Sequence, residues 1–174
     1  GALSYGPALR PLRGSAASRL RASIASLTQE IIMGLDTTHD CWHGAYSAFS
    51  RWRREVAKAA GYMTAQVQWH DMDYPTESIL IDWGHIEEKN FSGEWDEIPR
   101  DPLIILIAHS DCDGEIKPEH ATPLADRLEE ILPLLTEDEG AGHIAARGGY
   151  RGATEKFIAG LRAAAAAGEP VDFW

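Results

Sequence analysis

Six consecutive apolar residues, Leu103-Ile104-Ile105-Leu106-Ile107-Ala108, constrain the fold of this chain more than any other stretch. They stand between Asp101-Pro102 and the polar run His109-Ser110-Asp111-Cys112-Asp113-Gly114-Glu115. A segment with no polar residue on either parity cannot line a half-solvated surface, so both of its faces must be covered. Its length suits a strand, and the sequence predicts a central strand of a sheet there.

Segments able to cover it stand on both sides of it in the sequence. Trp42, Ala45, Phe49, Trp52, Val56 and Ala59 recur at alternating three- and four-residue spacings, which predicts an amphipathic helix stopped by Gly61. Leu20, Ile24, Leu27 and Ile31 form a similar stripe between Ser15 and Gly34. The short connection Asp36-Thr37-Thr38-His39 then predicts a hairpin of these two helices. Downstream, Thr122-Pro123 reads as an N-cap followed by proline at the first helical position, ahead of Leu124, Leu128, Ile131 and Leu135. Glu137 to Gly152 reads as a glycine-rich loop. A last helix carries Phe157, Ile158 and Leu161 and ends at Gly168, and Val171, Phe173 and Trp174 are apolar enough to dock on the body.

Between the helical regions the period changes to two. Met63, Ala65, Val67 and Trp69 alternate with polar residues, as a half-buried strand requires. Asp71 to Thr76 reads as a turn and Ile79 to Trp83 as a second strand. Trp83, Phe91 and Trp95 read as satellite core, or alternatively as an aromatic recognition surface. The expected fold is α+β: two N-terminal helices, a central antiparallel or mixed sheet, and two C-terminal helices. Residues 1–174 are expected to make one domain, with 1–14 as an irregular lead-in.

Acidic residues outnumber basic ones 27 to 16, giving a formal net charge of -11. That field repels a phosphate backbone, and Arg51, Arg53 and Arg54 are the nearest thing to a basic patch, so nucleic acid is not an expected partner. No apolar run is long enough to cross a membrane, and the first residues do not read as a signal peptide. Cys41 and Cys112 are too few and too far apart for a disulfide framework, which predicts reduced thiols and a cytoplasmic location.

The polar run after the apolar segment is the densest source of chemistry. It offers an imidazole, a hydroxyl, a thiol and three carboxylates at the end of a buried element, where working residues are commonly held. His109, Ser110, Asp111, Asp113 and Glu115 are the candidate ligand-binding residues. His109, Asp111 and Asp113 are candidate ligands for a divalent metal, joined by His70 and His85 if the neighbouring strands end on the same side. Glu115 is the candidate general base. Asp113-Gly114 equally suits a plain turn.

Asp111-x-Asp113-Gly114-x-Ile116 has the spacing of the middle of an EF-hand calcium loop, yet His109 and His120 occupy the outer ligand positions. His109-x-Asp111-x-Asp113-Gly114 is similar to the first motif of the Asp-His-His phosphoesterases, without their Asp-His-His triplet. Asp111-x-Asp113-Gly114 is similar to the nucleophile motif of haloacid-dehalogenase-like phosphatases, with Glu115 where those carry Thr or Val. Asp101-Pro102 through Glu115-Ile116, followed by Leu124-Ala125-x-Arg127-Leu128 and Val171-Asp172-Phe173, resembles a group of small uncharacterised bacterial and phage proteins. That resemblance implies an intracellular single-domain protein and carries no activity with it. The expected function is a small acidic intracellular binding or regulatory protein, taking a protein partner or a small ligand through loop 109–115. The competing expectation is a metal-dependent, phosphoesterase-like hydrolase.

Overall fold

In the computed structural model, which describes residues 34–68, 73–81, 95 and 98–174, the apolar run is helical over Leu103–Ile107. This corrects the expected central strand. Asp101 begins the turn: its carboxylate accepts from the Leu103 amide at 3.0 Å and its carbonyl from the Ile104 amide at 3.1 Å. Pro102 already has helical angles, φ -56 and ψ -23, and a proline in a first turn lacks only an amide that would go unused there. All five helical residues are buried, so the inference of cover on every side holds. Periodicity cannot tell a buried strand from a buried helical turn when the whole run is apolar.

The described elements run β1 (Gly34–Asp36), β2 (His43–Ala45), α1 (Tyr46–Ala59), β3 (Thr64–Val67), β4 (Thr76–Ile79), α2 (Leu103–Ile107), β5 (Glu115–Ile116), α3 (Pro118–Ile131), α4 (His143–Ala146), α5 (Gly149–Ala167) and β6 (Val171–Asp172). The fold is α+β. Its strands pair only antiparallel, in separate two-stranded ladders β1–β2, β3–β4 and β5–β6, with helices filling the middle where a sheet was expected. No described helix is long and apolar enough to cross a membrane.

The expected short helix-to-helix connection at 36–39 is also corrected. Residues 34–45 form a β-hairpin with Gly34 opposite Ala45 and Asp36 opposite His43. His39 and Asp40 turn it with φ of 56 and 54, a region few residues other than glycine adopt. The helix expected from Ser15 lies outside the described residues. Trp42 and Ala45 precede α1 rather than belonging to it, while Phe49, Trp52 and Val56 point inward as their spacing required.

The first strand of the period-two region is β3, and β4 begins at Thr76, inside the expected turn, because Thr64 pairs with Ile79 and Val67 with Thr76. Trp83 and Phe91 lie outside the described residues; Trp95 is core, 7% exposed. Helix α3 starts at Pro118, earlier than expected, and carries Pro123 inside it. Pro118 supplies the first-turn proline, and the fully buried His120 and Ala121 extend the apolar stripe toward the start. The expected glycine loop shrinks too. Helix α4 forms within it, and α5 takes in Gly152, where a Cβ would meet the Arg147 carbonyl oxygen at 2.4 Å.

Aromatic rings carry the core. Trp42 lies 5.0 Å from Phe49 and 5.2 Å from Trp52, and Trp52 lies 4.8 Å from Phe157. Such tilted and edge-on pairs add stabilisation beyond their buried area. Arg147 stacks on Trp42 at 4.9 Å and donates to the Cys41 carbonyl at 2.9 Å, which ties the β-hairpin to the α4–α5 region.

Candidate functional site

The short helix α2 ends pointing its carbonyls at α1. A helix end leaves acceptors unsatisfied, and here an arginine from another helix meets them. Arg53, 8% exposed, donates to the carbonyls of His109 at 2.6 Å and Leu106 at 3.3 Å, and pairs through its other nitrogen with the Asp111 carboxylate. Its guanidinium also covers the Phe49 ring at 4.7 Å. Burial pulls the Arg53 pKa down to about 10, which leaves it charged at neutral pH.

The polar cluster is thereby fixed from inside. His109 is 4% exposed, with its ring 4.0 Å from that of Phe173. Its Nδ1 lies 2.8 Å from the Ser110 carbonyl, the arrangement of an Nδ1–H donor. Burial holds the His109 pKa below the usual histidine value, so the ring is neutral at pH 7. Ser110 Oγ accepts from the Cys112 amide at 3.3 Å, a local side-chain turn. Gly114 takes φ 96, a left-handed angle, and its carbonyl accepts from the Phe173 amide at 3.0 Å. Cys112 and Asp113 stay exposed at the loop tip, and Glu115 is half-buried as β5 begins.

The candidate residues thus part company. His109 faces inward against Phe173; Asp111 is part-exposed and paired with Arg53; Ser110 closes the turn; Asp113 faces solvent. His70 and His85 lie outside the described residues. Among the described residues, no three His, Cys, Asp or Glu side chains gather where one ion could bridge them. Arg53, which by sequence groups with Arg51 and Arg54 as a basic patch, is instead a buried anchor of the loop. Its position four residues after Phe49, beside Trp52 on the apolar stripe, was the available signal. Arg54 turns the other way, to Glu77 at 3.6 Å.

Strand β6 closes the loop against the β1–β2 hairpin. Ile116 pairs with Val171 and Glu115 with Asp172 on one side. On the other side Thr37 bridges Phe173, and the Asp36 and Trp174 backbones exchange hydrogen bonds of 3.0 and 3.1 Å. Segment 171–174 therefore stitches β1–β2 and β5 into one antiparallel arrangement. Its inner face presents Trp42, Thr37, Phe173, Val171 and Ile116, all buried; its outer face presents His43, Asp36, Trp174, Thr38, Asp172 and Glu115.

The described residues thus define a structural class, an α+β fold with a braced acidic loop beside a short antiparallel ladder. No family model, curated protein or solved structure matches the chain.

Proposed function

We propose that this is a binding or regulatory protein whose recognition element is loop 109–115, acting in the cytoplasm on a protein or small-ligand partner. The observation that carries this reading is the Arg53–Asp111 pair. It takes one carboxylate of the cluster for the scaffold and sets the loop rigidly, while Cys112 and Asp113 remain at the exposed tip. Rigid presentation lowers the ordering cost of binding. A hydrolase built on His109, Asp111 and Asp113 would need Asp111 released from Arg53 and His109 drawn from beneath Phe173. The two free cysteines, one of them exposed, suit a reducing compartment, and the net charge of -11 disfavours nucleic acid.

Elemental analysis of the purified protein and of Asp113→Asn tests this. The binding reading expects no stoichiometric metal in either. Near-stoichiometric metal that vanishes in Asp113→Asn would overturn it in favour of the hydrolase.

A further inference from the structure

Trp174 is 56% exposed, whereas Trp42, Trp52 and Trp95 are 7% exposed or less. It stands on the outer face of the stitched ladder, beside Asp36, with which it exchanges backbone hydrogen bonds. Because strand neighbours alternate faces, Asp172 and Glu115 share that outer face, while Phe173 and Ile116 turn inward. Asp113 lies at the same end of the ladder as Trp174, since Gly114 binds Phe173 and the two strands run antiparallel.

Two facts make this face incomplete by itself. Glu115 and Asp172 are directly opposed across β5–β6, a like-charge pair that weakens a ladder. Asp113, Glu115 and Asp172 have no ion-pair partner among the described residues, although Asp36 has His43. An exposed indole that shares a ladder face with carboxylates lacking ion-pair partners attracts a cation twice, through its π face and through Coulomb attraction.

We propose that this sheet face docks a lysine- or arginine-bearing segment of a partner protein, one cation lying over Trp174 and between Asp172, Glu115 and Asp113. The proposal rests on the binding reading above and names the chemistry of the partner. The match is one of charge: an acidic, aromatic-centred face on a chain of net charge -11. Neutralising Glu115 and Asp172 by docking removes a repulsion that the free protein carries, so binding and ladder stability are coupled.

The test is nitrogen-15 NMR titration of the whole chain with an acetylated, amidated Gly-Lys-Gly-Lys-Gly-Lys-Gly peptide, and with the same peptide carrying Glu for Lys. Saturable shifts are expected at the Trp174 indole and the amides of 113–115 and 171–174, with the lysine peptide only, weakening as salt is raised. Trp174→Ala should lower affinity about two- to fivefold. Glu115→Gln with Asp172→Asn should lower affinity while raising the melting temperature, a combination that a merely structural role would not produce. Neutralising Glu137, Asp138 and Glu139 instead should leave the shifts in place. Shifts spread over the surface, or equal losses from both sets of neutralisations, would overturn the proposal. Absent shifts in a metal-free protein would also overturn it, while leaving the loop as a binding element. Stoichiometric metal lost in Asp113→Asn would overturn the underlying binding reading itself.

Discussion

The guanidinium of Arg53 lies 2.6 Å from the carbonyl oxygen of His109, and through this contact α1 holds the end of α2 and the loop beyond it. The same side chain engages Leu106 and Asp111, so one buried cation satisfies two helix-end carbonyls and one carboxylate. Removing it leaves the His109 carbonyl without its donor and the part-exposed Asp111 carboxylate without its cation, while the Leu106 carbonyl keeps the His109 amide at 3.3 Å.

Arg53→Met should therefore destabilise the protein by about 2–4 kcal/mol, since a buried acceptor loses its donor and a partly buried carboxylate loses its cation. Asp111→Asn should cost less, about 1 kcal/mol, because that carboxylate is the more exposed partner. Urea denaturation of the two variants checks the order; equal losses would place the anchor in Asp111 instead.

Gly160 faces Cys41 across the α5 surface, where a Cβ would come within 2.4 Å of the Cys41 sulfur and 2.7 Å of the His39 carbonyl oxygen. One contact is with backbone and cannot swing aside. Gly160→Ala is expected to destabilise by about 1–3 kcal/mol despite the better helix propensity of alanine. Thermal melts of the variant read this directly, and an unchanged or higher melting temperature would contradict the close approach.

The two thiols should differ sharply in reactivity. Burial pushes the Cys41 thiol up to about 12, while Cys112 is exposed. Ellman's reagent should modify Cys112 in the native protein, and Cys41 only once the chain unfolds. Rapid modification of Cys41 without denaturant would show that the β-hairpin opens readily.

Acid should weaken the fold through its buried imidazoles. Burial lowers the pKa of both His109 and His120 below 6.5, so the unfolded chain takes up their protons before the folded one does. The sign follows: stability is flat in this respect above pH 7 and falls as pH drops through 6.5 toward the lowered folded values. His109→Phe keeps a ring against Phe173 and removes one proton, so its stability should decline less steeply over that window. An unchanged slope would assign the acid sensitivity to His120 and other groups.

Much of this architecture is legible in local pattern. The stripe of Phe49, Trp52 and Val56 dictates α1 and its inward face, and Leu124, Leu128 and Ile131 do the same for α3. The alternation at 64–67 dictates a strand. The full burial of Leu103–Ile107 follows from its composition alone. Each depends on which side chains can be left in water, a property that neighbours in sequence determine.

What the tertiary structure alone decided is of another kind. The helical state of Leu103–Ile107 follows from the Asp101 cap and from Arg127 and Tyr62, which hold Asp101 at 3.1 and 2.9 Å. The fate of the polar loop depends on Arg53 from one helix and Phe173 from the far end of the chain. A donor placed 56 residues away leaves no trace in the local pattern of His109, because only the folded backbone brings it within hydrogen-bond reach. Composition thus selected what must be buried, and long-range hydrogen bonds selected the shape in which it is buried.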